Sequence, residues 1–89
     1  MATYEIQITP TAVKQLASLP AKIRGRIDKK ILALAKEPRP HQAKPLQGKI
    51  KDLFRLRVGD YRIVYQVRDV LLIVLVIRIG HRREVYRGL

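Results

Sequence analysis

Three arginines, Arg55, Arg57 and Arg62, lie within or beside a short turn in the segment FRLRVGDYRIVYQV, and a second basic group, GHRREVYRG, begins at Gly80. These residue types share a chemistry. A guanidinium stays charged at any working pH and grips phosphate oxygens through paired N–H groups. Histidine transfers protons near neutrality, and tyrosine stacks on a base or donates a hydrogen bond. Cleavage of an RNA strand through its own 2′-hydroxyl needs three things. A proton must leave the hydroxyl, cations must surround the five-coordinate phosphate, and the departing 5′-oxygen must gain a proton. The arginines supply the second need, and His81 or Tyr86 could supply a proton. The plainer readings are an exposed loop residue for His81 and a core or edge aromatic for Tyr86.

The turn decides where the arginines point. Gly59-Asp60 suits a two-residue type II′ hairpin, with glycine free to take the positive φ required first. Val58 then pairs with Tyr61, Leu56 with Ile63, Arg57 with Arg62 and Arg55 with Val64. Directly opposed residues share a face. Phe54, Leu56, Val58, Tyr61, Ile63, Tyr65 and Val67 therefore form one apolar face, and Arg55, Arg57 and Arg62 share the other. Opposed cations cost up to about 1 kcal/mol across a sheet. Such crowding reads either as long side chains splayed into screened solvent or as an anion site.

The rest of the chain must position that hairpin. TYEIQI alternates as a half-buried strand. Thr9 and Pro10 read as N-cap and first position of a helix running to about Leu19, with Val13, Leu16 and Ala17 at helical spacing. Pro20 ends it, and a second helix covers about Ala21–Lys36 with Ile23, Ile27, Ile31 and Leu34 as its buried stripe. Leu32 falls on the opposite side. Lys22, Arg24, Arg26, Lys29, Lys30 and Lys36 occupy the remaining surface, as a solvated face or a contact for an acidic partner. EPRPHQAKPLQGK reads as a loop. Strands follow over about Leu53–Val58, Tyr61–Val67 and Val70–Ile79, the last apolar on both faces as a covered central strand requires. REVYR could add one more. The order β-α-α-β-β-β(-β) predicts an α+β domain, residues 1–89, with two N-terminal helices packed on a small twisted antiparallel sheet. The third strand pairs beside the second, so the end carrying His81 and Arg82 is expected near Arg57 and Arg62.

Composition narrows the partners. The chain has 89 residues and a net charge of +12, from nineteen Lys and Arg against seven Asp and Glu. So large a charge favours an anionic partner, nucleic acid first. There is no cysteine, the only histidines are His41 and His81, and the carboxylates are scattered. No metal or cofactor is expected. No phosphate loop and no Ser-His-Asp arrangement can be argued. The N-terminus has no signal-peptide pattern, and the apolar run from Val70 to Ile77 is too short for a membrane span, so a cytoplasmic protein is expected.

LQGKIKDLFRLRVGDYRIVYQV, the apolar strand after it and GHRREVYR together resemble the RelE/ParE toxin superfamily of type II toxin–antitoxin systems, in its RelE-like branch. The resemblance covers nearly the whole chain. It implies two helices against an antiparallel sheet and a ribosome-dependent endoribonuclease that cuts mRNA in the A site without metal. The 2′-hydroxyl would attack, leaving a 2′,3′-cyclic phosphate and a 5′-hydroxyl. It also implies a cognate antitoxin that blocks the toxin, with operator DNA bound only through the complex of the two. The family's basic pair on the sheet falls on Arg55 and Arg57, its strand arginine on Arg62, the arginine after the central strand on Arg82, and the terminal tyrosine on Tyr86. His81 matches the histidine of a GHR motif. Lys44, Lys49, Lys51, Arg83 and Arg87 are the further basic residues expected to contact RNA or ribosome. Some members carry lysines where this chain has Arg55 and Arg57. An arginine is a poor general base, so these two read as charge clamps and proton transfer falls to His81 and Tyr86. Two other functions fit the same residues: a ParE-like toxin that inhibits gyrase through protein contacts, and a non-enzymatic RNA-binding module.

Overall fold

The computed structural model describes residues 3–81. Strand β1 (Glu5–Ile8) leads into helices α1 (Pro10–Ala17) and α2 (Ala21–Ala33). Strands β2 (Lys44–Leu46), β3 (Leu53–Val58) and β4 (Tyr61–Arg68) follow, then a short 3₁₀ turn over Asp69–Leu71 and strand β5 (Ile73–His81). The five strands form one sheet in the order β1-β5-β4-β3-β2. The architecture is α+β, as expected, with one departure in direction. β1 runs parallel to β5, so the sheet is mixed, and the antiparallel relation holds for the other neighbours. The helices intervene between β1 and the rest of the sheet. That crossover lets the chain return to lie beside β5 in the same direction.

The hairpin keeps the expected register, with Val58 opposite Tyr61, Arg57 opposite Arg62 and Arg55 opposite Val64. Gly59 carries the positive φ (60°) that the turn demands. Leu56, Val58, Ile63, Tyr65 and Val67 are all buried under α2, where Ile27, Ile31 and Leu34 meet them. Leu32 is 68% exposed, on the far side of the stripe. At the end of the sheet away from the hairpin turn, Arg39 forms a forked pair with Asp69 (3.1 and 2.7 Å). Tyr4 Oη donates to the same carboxylate at 2.6 Å. Tyr65 Oη, deep in the core, donates to the Pro38 carbonyl at 2.9 Å, as a buried hydroxyl must.

Three other expectations are corrected. Val70–Leu72 is not strand: the 3₁₀ turn and a left-handed Leu72 (φ 53°) reverse the chain before β5 begins, and Val70 is left 97% exposed. Within the proline-rich loop, Lys44–Leu46 forms a short edge strand on β3. Pro45 is tolerated there because an edge strand needs no outward N–H. On α1 the buried residue is Ala12, and Val13 is 51% exposed.

That rotation of α1 has a physical cause. β1 ends opposite Val76, so among the described residues the outward backbone groups of β5 beyond that point have no strand to pair with. The N-terminus and inner face of α1 take the strand's place. Thr9 N–H donates to the Val76 carbonyl (2.9 Å), and Thr9 Oγ1 donates to the Ile77 carbonyl (2.8 Å). Gln15 Oε1 accepts from the Ile79 N–H (2.8 Å). Thr9 Oγ1 also accepts from the Ala12 N–H (3.1 Å), so one hydroxyl caps the helix and the strand together. Ala12 lies between these contacts, and its small side chain lets α1 approach β5 closely.

Candidate active site

The sheet face away from the helices carries the cations in two rows running across the strands. In one row Lys44 of β2 faces Arg55 of β3, Arg55 faces Val64 of β4, and Val64 faces Arg78 of β5. In the next, Arg57 faces Arg62, and Arg62 faces Gly80. Gly80 has no side chain to crowd Arg62 on this face. Beneath the cations, Leu53 and Val64 form a small apolar cluster with Leu46 and Ile77, which stiffens the floor. Gln42, Lys44, Arg55, Arg57, Gly59 and Arg62 line an open groove of about 640 Å³.

Arg57 is anchored at the rim, where its Nε donates to the Gly59 carbonyl at 3.0 Å. Arg62 differs. Its Nε and Nη1 are shielded from solvent and have no hydrogen-bond partner among the described residues. The one ion pair among the described residues, Arg39–Asp69, lies at the other end of the sheet. A guanidinium edge whose two nitrogens have lost water and gained no acceptor among the described residues is in an unfavourable state. An anion in the groove would relieve it and would also offset the repulsion between Arg57 and Arg62. A phosphodiester fits the requirement: its two non-bridging oxygens match a guanidinium fork.

The expected site residues fall into four groups. Arg55, Arg57, Arg62 and Lys44 come together in the groove. Lys49 and Lys51 are exposed in the turn between β2 and β3 and do not line it. Arg82, Arg83, Tyr86 and Arg87, and the possible terminal strand with them, lie outside the described residues.

His81 is close in the chain but turned away. It pairs with Tyr61, on the helix side of the sheet. The two rings meet edge to face with centroids 5.7 Å apart, and His81 lines a separate pocket with Gln15, Ser18, Leu19 and Tyr61. The cause is a β-bulge in β5. Tyr65 pairs with Val76 but Val64 pairs with Arg78, so Ile77 is an extra residue and the alternation flips beyond it. Strict alternation from Val74 and Val76 would put Arg78 in the core and His81 on the arginine face. The bulge buries Ile79 (1% exposed) instead, brings Arg78 to the arginine face and sends His81 to the helix side.

Arg78 and Gln42 are therefore the groove-face residues that the sequence did not reveal. Gln42 stands in a loop with no periodicity. Arg78 is the only charged residue within the apolar run from Val70 to Ile79, and that anomaly was the available signal.

Comparison with known proteins agrees with this architecture. Residues 6–86 match the family model of the ParE toxin of type II toxin–antitoxin systems. Toxin RelG of Mycobacterium tuberculosis is 32% identical over 85 residues, covering 94% of this chain and 97% of the relative. The mRNA interferase toxin RelE of Escherichia coli K12 is 34% identical over 87 residues, covering 93% and 90%. Among solved structures, the toxin of the archaeal RelE–RelB complex from Pyrococcus horikoshii superposes with a TM-score of 0.80 at 31% identity, over 91% of this chain and 97% of that one. The RelBE2 toxin–antitoxin complex of M. tuberculosis gives 0.79 at 30% identity, over 91% and 100%. With the family model spanning most of the chain and RelE-type relatives matched almost end to end, this chain belongs to the RelE-like branch of the RelE/ParE superfamily of type II toxins.

Proposed function

We propose that this protein is an mRNA endoribonuclease that inhibits translation, acting in the cytoplasm on mRNA in the ribosomal A site, with a cognate antitoxin as its inhibitor. The observation that carries the reading is Arg62, whose buried Nε and Nη1 lack a partner among the described residues, in a groove lined also by Arg55, Arg57 and Lys44. The naming of an E. coli relative as an mRNA interferase, and the RelB-bound state of related toxins, support the substrate and the partner. Operator DNA would be met only through the complex with antitoxin.

In this mechanism the scissile phosphate sits against Arg62. The adjacent 2′-hydroxyl gives its proton to water as its oxygen attacks phosphorus, the bond to the 5′-oxygen breaks and that oxygen takes up a proton, and a 2′,3′-cyclic phosphate and a 5′-hydroxyl result. Arg55, Arg57 and Arg62 hold the charge that grows on the phosphoryl oxygens, which is where fixed cations lower the barrier most. His81 faces the helix side, so proton delivery to the 5′-oxygen is assigned first to Tyr86, and Arg82 joins the charge clamp. Lys49, Lys51, Arg83 and Arg87 contribute long-range attraction to RNA and ribosome.

The test is cleavage of mRNA on programmed ribosomes by the wild type and by Arg62→Met, Arg55→Gln and Arg82→Gln. Each variant should lose at least about tenfold in rate, as loss of one charge-stabilising donor does. Wild-type cutting by all three would place the chemistry elsewhere. The ParE description of the matching family model favours a second reading, a gyrase-directed toxin. Expression that induces DNA damage signalling while mRNA stays intact would select it.

A further inference from the structure

The bulge in β5 places Arg78 opposite Val64, whose other neighbour is Arg55. Lys44, Arg55 and Arg78 thus stand on one line across β2, β3 and β5, interrupted only by the buried Val64. Strands are spaced about 4.8 Å apart, so Arg78 stands roughly 10 Å from Arg55, across the width of β4. It lies diagonally beside Arg62. Arg78 does not line the groove that holds Arg55, Arg57 and Arg62. It extends the cationic face past it, toward the β1 side of the sheet. The bulge that aims it is held deliberately: the carbonyl of the extra residue, Ile77, accepts from Thr9 Oγ1 at 2.8 Å. Bulges beside active sites commonly serve to re-aim a side chain.

We propose that Arg78 binds a second phosphate of the RNA strand, one flanking the scissile phosphate, and so sets the direction in which the strand crosses the sheet. The inference rests on the ribonuclease reading of the groove. The contact is to the backbone, so it is independent of base identity. It contributes to binding of the strand and not to the chemical step, because the growing charge sits on the phosphate at Arg62.

The probe is a short oligoribonucleotide made uncleavable by 2′-O-methylation at each position, titrated at several salt concentrations. Arg78→Gln should weaken binding about tenfold at low salt and reduce the slope of log K against log salt by roughly 0.7, the loss of one phosphate contact on a single strand. Arg78→Lys should restore most of both. Lys14→Gln, which removes the same charge from an exposed position on α1, should change neither by more than twofold. On programmed ribosomes Arg78→Gln should raise KM and leave kcat within about threefold. An unchanged slope for Arg78→Gln, or an equal loss for Lys14→Gln, would overturn the proposal. Arg62→Met separates the two claims. If it too binds and cleaves like wild type, the groove reading fails; if it fails to cleave while Arg78→Gln binds normally, only the second contact is lost.

Discussion

Arg62→Met should make the protein more stable while abolishing its activity. Arg62 Nε and Nη1 are buried without partners among the described residues. An unsatisfied buried polar group costs about 1–3 kcal/mol. Opposition to Arg57 in the register adds up to about 1 kcal/mol. Methionine keeps the unbranched stem that packs over the sheet and removes the charge and both donors, against a small loss of buried methylene contact. The net gain should be about 1–3 kcal/mol. In a domain of this size each kcal/mol moves Tm by roughly 4–8 °C, so thermal unfolding should shift upward by at least about 4 °C. Phosphate supplies a second, independent reading. An anion bound only by the folded state stabilises it by RT ln(1 + [L]/Kd), about 1.4 kcal/mol at tenfold excess over Kd. Compared with chloride at equal ionic strength, phosphate should raise the Tm of the wild type and leave Arg62→Met unmoved. A variant with a Tm at or below wild type, together with an undiminished phosphate shift, would refute the idea that Arg62 is held in an unfavourable state awaiting an anion.

Other perturbations test the scaffold. Asp69 is held at a pKa of about 2, below its usual 3.8, chiefly by the Arg39 hydrogen bonds and then by Tyr4. Its stabilisation is therefore present above about pH 4 and is lost as pH falls through 2, and Asp69→Asn should flatten the acid limb of urea midpoints over that window. Burial pushes the Tyr65 hydroxyl up to about 12. The unfolded chain releases that proton near 10 and the folded chain holds it, so stability should fall as pH rises from 10 toward 12. Tyr65→Phe should remove a tyrosinate absorbance step near 12. Thr9→Val should cost about 1–2 kcal/mol in thermal unfolding, because it removes both the helix cap and the bond to the Ile77 carbonyl, while Thr9→Ser should cost much less.

The hairpin was legible because one tight turn fixes the register of everything beside it. Gly59 sets Val58 against Tyr61, and the pairing of Arg57 with Arg62 follows one residue on. The α2 stripe was legible for a similar reason, since Ile27, Ile31 and Leu34 repeat at one period on a helix long enough to show it. β5 resisted because its alternation changes partway. Ile73, Val74, Leu75, Val76, Ile77 and Ile79 are all apolar, so nothing in their order marks the extra residue, and the facing of Arg78 and His81 depends on it. The orientation of α1 was hidden because it answers to hydrogen bonds more than to hydrophobicity: Thr9 and Gln15 must reach β5, and Val13 is turned outward as a consequence. The parallel pairing of β1 was equally hidden, since an alternating strand specifies a buried face and not a neighbour.

The central claim, cleavage of mRNA at a phosphate held by Arg62, is tested most directly by capturing RNA 3′ ends from programmed ribosomes with a ligase specific for 2′,3′-cyclic phosphates. The wild type should produce cyclic-phosphate ends within the coding sequence, each matched by a downstream 5′-hydroxyl, and the better-folded Arg62→Met should produce none. Intact mRNA with the wild type, or ends bearing a 3′-hydroxyl, would contradict it.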